Sequence, residues 1–245
     1  LGHGGGGFPT IDNPFAPNSL ESISSAMRAG ADGVELDIQM TKDSVLVLYH
    51  DDRLESSTNG QGFVSDWDFA DLSDVCFRSV SSALGQSQKI VSLHEALLFV
   101  KNWPGQTHVS LNIHPQKEIQ DAIYDRILTQ RIYEMIKAGS ELEIFVESPQ
   151  DQHIMLLRTL LPKQKLFLVE QYGPDILSRL SRIGADGLVA NIHRMSPEES
   201  LEIEKAGLLL MLYGVKIRAD IVKSLDYHAL AIQTDNIPLS LAFYP

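Results

Sequence analysis

Short apolar runs alternate with stretches of helical periodicity along almost the whole chain, the pattern of repeated βα units on a parallel sheet. Such runs predict strands at Leu1–Gly4, Gly33–Gln39, His108–Ile113, Leu142–Val146, Lys165–Val169, Gly187–Ala190, Leu208–Tyr213 and Leu230–Thr234. Between them, Ser19–Ala29, Ser92–Asn102, Lys117–Ala138, Gln150–Leu160, Asp175–Ile183, Pro197–Ala206 and Ala219–Leu225 read as helices. Ser196 before Pro197, with Gly207 at the far end, marks one of them at both ends. One apolar run breaks the alternation. Val45–Tyr49 follows Gly33–Gln39 after too few residues for a parallel crossover, so Glu35–His50 is predicted to be an antiparallel hairpin turning near Lys42–Asp43. Setting it aside leaves eight strands, the number of a (β/α)₈ TIM barrel, in a single domain spanning 1–245. Asp52–Gln88, rich in Ser, Asp and Gly, reads as a small insertion after the hairpin. Its Phe63, Trp67 and Phe69 read as satellite packing rather than a substrate cleft.

Composition narrows the function without choosing it. The chain has 245 residues, 44% hydrophobic and 21% charged, ordinary values for a globular protein with a core. A net charge of −12 opposes a broad role in nucleic-acid binding and docking on anionic membranes. No apolar run approaches the ~18 residues of a membrane span. The single cysteine, Cys76, excludes an internal disulfide framework, and the cytoplasm is the expected compartment. That expectation rests on the single cysteine and on no visible export signal, in a chain that starts at Leu1, inside a motif and without an initiator Met. Oligomeric state is left open.

The chemistry concentrates in the first fifty residues. Glu35 and Asp37, two apart on one predicted strand, project to the same side. Paired acids on an apolar strand repel each other and lose hydration unless something neutralises them, and a divalent cation is one remedy. The predicted hairpin returns His50 to about the position opposite Glu35. His3 ends the first strand and precedes Gly4–Gly7, a run able to approach a ligand closely or turn N–H groups toward an anion. Two imidazoles there can serve as general acid and base in one reaction. His94, His108, His153, His193 and His228 lack acidic or cysteine neighbours at ligand spacing, and surface or helix-end roles are expected for them.

At these residues the sequence resembles a known family. Gly30–Asp43 (GADGVELDIQMTKD) and Val45–Asp52 (VLVLYHDD) are similar to the glycerophosphodiester phosphodiesterases, of the phospholipase-C-like phosphodiesterase barrels. His3–Gly4, Asn18–Ser19–Leu20, Thr58–Asn59–Gly60, Leu111–Asn112–Ile113, Thr234–Asp235 and Pro238 extend the likeness in order along the chain. The resemblance implies metal-dependent hydrolysis of a small-molecule glycerophosphodiester to an alcohol and glycerol phosphate. His3 and His50 would be the acid–base pair, and Glu35 and Asp37 ligands of Ca²⁺ or Mg²⁺. A glycerol hydroxyl would attack phosphorus and the cyclic phosphate would then be hydrolysed. Gly4, Asn18, Gln116 and Tyr213 fall at positions implied for substrate contact.

The chain also departs from the family pattern. Gly4 stands where an Arg is usual, Pro17 where a Glu is, Ser56 where an Arg is, and Tyr213 where a Trp is. The mid-chain Glu-x-Lys is replaced by His114–Pro115–Gln116, which removes a carboxylate ligand and a phosphate-facing Lys. Three readings stay open. His114 ligates the metal, which favours a softer or smaller cation than Ca²⁺; Glu147 replaces the missing carboxylate; or the site is a degraded, non-catalytic phosphodiester binder. A barrel isomerase or aldolase is disfavoured by the order of the motifs and by the absence of a well-placed lysine at a strand end.

Overall fold

The structure, a computed structural model, describes residues 1–8, 13–78, 88–105, 107–114, 121–139 and 141–244. Its sheet has eight strands: β1 (Gly33–Met40), β2 (Leu46–Leu48), β3 (His108–Ile113), β4 (Glu143–Ser148), β5 (Lys165–Val169), β6 (Gly187–Asn191), β7 (Leu209–Val215) and β8 (Ala231–Thr234). Their order is β2-β1-β3-β4-β5-β6-β7-β8, with β2 antiparallel to β1 and every other pair parallel. Among the described residues, eight α-helices flank it: α1 (Leu20–Arg28), α2 (Leu93–Lys101), α3 (Ala122–Ala138), α4 (Asp151–Leu160), α5 (Ile176–Ile183), α6 (Pro197–Lys205), α7 (Arg218–Ser224) and α8 (Ile237–Leu241).

Strand alternation explains the layers. Val34, Leu36, Ile38, Val109, Leu111, Ile113, Ile144, Val146, Leu166, Leu168, Leu188, Ala190, Leu210 and Leu212 are buried in one cluster with the apolar stripes of the helices. The alternate residues of each strand point the other way. Phe145, Phe167, Val189 and Met211 form a separate inner cluster. The inner side chain of Gln233 on β8 donates to Glu147 Oε1 on β4 at 2.7 Å, a bond between strands distant in the sheet order. The sheet is therefore curled around an interior, as in a TIM-like barrel.

The predicted strand Leu1–Gly4 contracts to one bridging residue. Gly2 pairs in parallel with both Val34 and Thr234, linking β1 to β8. Backbone bonds from Gly2 N to Gly33 O at 2.9 Å and His3 N to Thr234 O at 3.1 Å complete the link. The glycine run bends away directly afterwards, which is why no regular strand continues. The hairpin forms as expected, with Ile38 opposite Leu48 and Met40 opposite Leu46. Ser44, with φ 64°, supplies the left-handed residue that follows a short turn in a three-residue loop.

Helix ends follow their local chemistry. Ser92 and Ser196 form reciprocal capping boxes with Glu95 and Glu199, and Pro197 occupies the first turn of α6. The helix predicted from Lys117 is described from Ala122, capped by Asp121. α8, capped by Asn236, lies outside the predicted set because five residues give too little periodicity to read. Between β2 and α2, Leu54, Val64, Leu72, Val75 and Phe77 pack with Val47, Tyr49 and Ile90, and Trp67 and Phe69 lie against that cluster. Among the described residues, no helix is long and apolar enough to cross a membrane.

Candidate active site

The ends of β1, β3 and β8 and the loop after Gly2 bring the polar residues together. β1 places Glu35 and Asp37 on the inner face, paired with Ser110 and Asn112 of β3. Both acids are buried. Glu35 Oε2 accepts the Gly4 N–H at 2.9 Å, whereas Glu35 Oε1 is buried with no hydrogen-bond partner among the described residues. Burial first, then the charges of Asp37 and Glu147, pushes the Glu35 carboxyl well above the usual carboxylate range.

Asp37 is treated oppositely. Asn18 clamps it, donating from Nδ2 to Oδ2 at 2.8 Å and accepting the Asp37 N–H at 2.9 Å. Asn18 can turn this way because its backbone has φ 65°, a conformation that Asn tolerates better than most residues. Asn112 Nδ2 donates to Asp37 Oδ1 at 3.2 Å, and His114 Nε2 lies 3.0 Å from the same oxygen. Burial alone would raise this carboxyl. The hydrogen bond and charge of His114, with His50 and Asn18, outweigh it and hold Asp37 ionised below the usual range. Two buried acids on one strand thus divide the proton between them.

Each of the two histidines singled out for acid–base work leans on a carboxylate. His3 Nδ1 donates to Asp235 Oδ1 at 2.8 Å, which leaves Nε2 facing Glu35 Oε2 at 4.0 Å. His50 Nδ1 donates to Asp51 Oδ1 at 3.0 Å, and this bond is the main cause of its raised pKa. Phe8 stands edge-on to both rings, 5.2 Å from His3 and 5.9 Å from His50 between centroids. The hairpin register, extended past Leu48, sets His50 against Leu36 rather than Glu35. Accordingly its ring lies 4.6 Å from that of His114, over Asp37. Among the described residues, Asp37, His50 and His114 each offer one ligand atom within 4.8 Å of the others.

The remaining predicted site residues are placed as follows. All four N–H groups of Gly4–Gly7 are used inside the protein, by Glu35 Oε2, Glu35 O, Ser22 Oγ and His3 O, so none is turned toward an anion. Gly7, at φ +90°, is required by space: a Cβ there would come within 2.5 Å of the Asp235 carbonyl oxygen. Asn18 spends its side chain on Asp37. Tyr213 lies on the inner face beside the apolar cluster, its hydroxyl accepting from Gln171 Nε2 at 3.4 Å. Pro115 and Gln116 lie outside the described residues. Glu147 is directed inward and fully buried, its Oε1 taken by Ser110 Oγ and Gln233 Nε2 and its Oε2 unpartnered among the described residues. Burial pushes its pKa up to about 7.

Three residues carry more than sequence reasoning gave them. Asp51 and Asp235 orient the two imidazoles; the His50–Asp51 adjacency and the matched Thr234–Asp235 pair were the available signals. Lys216, at the end of β7, corrects the expectation of no lysine at a strand end: its Nζ is 3.5 Å from Asp235 Oδ2. His153 is corrected too. It is buried, not superficial, between Ser148 Oγ at 2.9 Å and Asp125 Oδ1 at 3.1 Å. A cavity of about 340 Å³ opens beside His50, lined in part by Phe8, Asn18, Tyr49, Asp51, Ser57 and Phe77.

Known proteins of one family resemble this chain over most of its length. A glycerophosphodiester phosphodiesterase of Caldanaerobacter subterraneus subsp. tengcongensis is 25% identical over 220 residues, covering 89% of this chain and 88% of that protein. One from Bacillus subtilis is 44% identical over 55 residues, 22% of this chain and 19% of its own. Among solved structures, an Oleispira antarctica phosphodiesterase in complex with the product sn-glycerol-3-phosphate superposes with a TM-score of 0.86 at 18% identity, covering 98% of this chain and 94% of that one. A Thermotoga maritima glycerophosphodiester phosphodiesterase gives 0.74 at 19%, covering 99% and 96%. Fold and relatives together define an enzyme of the phosphoric diester hydrolase class. More narrowly, the chain belongs to the glycerophosphoryl diester phosphodiesterase family, whose model matches residues 6–239.

Proposed function

We propose that this chain hydrolyses a glycerophosphodiester to an alcohol and glycerol phosphate, with His3 and His50 as its acid–base pair and a divalent cation at Asp37. The observation that carries the reading is the matched pair of imidazoles, each with Nδ1 on its own carboxylate, above Glu35 and Asp37. A carboxylate on Nδ1 fixes the tautomer and leaves Nε2 free to take or give a proton. One imidazole takes the proton of a glycerol hydroxyl as its oxygen bonds to phosphorus. The other protonates the departing alcohol oxygen. Water then opens the cyclic phosphate with the two roles exchanged.

The residues present fit a divalent ion. Asp37 and His114 supply an oxygen and a nitrogen, and Glu35 Oε1 is a buried oxygen lacking a partner among the described residues. Such an ion, when bound, neutralises charge on the phosphoryl oxygens. Ligation by His114 requires loss of the Nε2 proton now directed at Asp37, and a mixed nitrogen–oxygen set favours a softer cation than Ca²⁺. The same reading takes the fold as a (β/α)₈ barrel in one domain, with about 52–88 as an insertion.

Purified protein given Ca²⁺, Mg²⁺, Mn²⁺ or Zn²⁺ is expected to release glycerol phosphate from glycerophosphocholine or glycerophosphoethanolamine. Metal analysis of the protein as isolated identifies the ion. No turnover with any of these metals on a wider panel of diesters would sink the catalytic reading in favour of a binding barrel.

A further inference from the structure

A phosphodiester brings negative charge to a face already rich in acids. Glu35, Asp37, Asp51 and Asp235 surround the two imidazoles, in a chain of net charge −12. The positions at which the family pattern leads one to look for basic groups hold Gly4, Ser56 and Gln116. Charge on the substrate has to be met from somewhere else, and the end of β7 offers a candidate.

Lys216 follows β7 directly, and its backbone is fixed on both sides. Its N–H donates to Asp220 Oδ2 at 2.9 Å, and the preceding carbonyl, Val215 O, accepts from Asp235 N at 3.1 Å. The side chain then turns over the site. Nζ is 5.3 Å from the centre of the Phe8 ring, and Phe8 is the ring that touches both His3 and His50. Asp235, 3.5 Å from Nζ, is the carboxylate that holds His3 through its other oxygen. The ammonium is thus one aromatic ring away from both imidazoles.

The contact with Asp235 is longer than the ~2.7–2.9 Å of a tight charge-assisted hydrogen bond, and the Lys216 side chain is 58% exposed. An exposed pair of this kind adds little to stability. Asp235 and the Phe8 face thus hold the ammonium near both imidazoles without fixing its three donors. The chemistry wanted there is a point charge with movable donors, which a lysine supplies.

We propose that Lys216 binds the phosphoryl oxygens of the substrate and product, supplying from β7 the positive charge that Gly4 and Gln116 do not. The assignment rests on the phosphodiesterase reading above, and its test separates the two. Affinity for sn-glycerol-3-phosphate is measured by calorimetry for the wild type, Lys216→Met and Lys216→Arg, alongside kcat, KM and the pH profile on glycerophosphocholine. Lys216→Met should weaken sn-glycerol-3-phosphate and raise KM by about tenfold or more, leave the pH profile in place, and be partly rescued by Lys216→Arg. Unchanged affinity and KM in Lys216→Met would overturn the proposal. So would a moved pH profile at constant KM, which would make Lys216 a positioning residue for Asp235 and His3. If the wild type binds sn-glycerol-3-phosphate through Lys216 yet turns over no diester, the catalytic reading fails and this one stands. A wild type that neither binds nor turns over removes both.

Discussion

The inner face of the sheet is divided. Along β1 and β3 it carries Glu35, Asp37, Ser110 and Asn112, while along β5, β6 and β7 it carries Phe167, Val189 and Met211. Apart from the half-buried Asn112, both sets are buried, and both sit on strands whose outer residues are apolar, so the fold tolerates either. Burying a carboxyl without full hydrogen bonding costs several kcal/mol that an aromatic ring does not. Glu35 and, on β4, the inward-facing Glu147 each keep an oxygen with no partner among the described residues. The apolar half holds the sheet together; the polar half costs stability, which is what the proposed catalytic role would account for.

That contrast can be broken from either side. The largest effect should come from the histidines: His3→Ala or His50→Ala is expected to lower kcat by about 10²–10⁴-fold with little change in melting temperature. Steady-state kinetics beside a thermal melt would show it, and near-normal turnover in both variants would remove the acid–base assignment. Phe167→Ala should do the reverse. It is fully buried, so the variant should lose about 3–5 kcal/mol of stability while molecules that remain folded keep their turnover. Denaturant titration with active-site normalisation distinguishes this from a direct effect on the site.

Glu147 tests the cost of the polar half. Its pKa of about 7 lies above its ordinary value, so the folded protein favours the protonated acid and loses stability as pH rises from about 4.5 to about 7. Glu147→Gln, which has the shape of the protonated acid, should match the wild type near pH 4.5. Near pH 8, in metal-stripped protein, it should be more stable by up to about 3 kcal/mol. A difference that does not grow with pH would contradict this. The smallest effect concerns Asp51. Its hydrogen bond is the first cause of the raised His50 pKa, so Asp51→Asn should move the limb of the pH–rate profile governed by His50 to lower pH. A profile that stays put would detach Asp51 from His50.

The same division explains what could be read from the sequence. Outer strand positions alternate with inner ones, and the outer set is almost wholly apolar, so seven parallel strands were legible from pattern alone. Glu35 and Asp37 stood out because they interrupt that pattern on β1. Gln233 did not, because it acquires meaning only through the curl that carries it from β8 to Glu147 on β4. The proton-holding partners Asp51 and Asp235 were hidden by ordinariness, as acids next to loops. Lys216 was hidden by distance, since nothing along the chain between Phe8 and β7 indicates that they meet. His153 looked superficial because its partner Asp125 lies on the preceding helix, a long way back in sequence.

The link made by Gly2 has a consequence for dynamics. The few residues that join β1 to β8 continue directly into His3, so parting the two strands and displacing His3 from its proposed partner His50 are one event. Amide protons of His3 and Gly5, bonded to Thr234 and Glu35, should then exchange with solvent only when this seam opens. A molecule bound between His3 and His50 would slow that exchange by mass action. Deuterium uptake at the seam would therefore report occupancy of the site, even for a substrate that is never turned over.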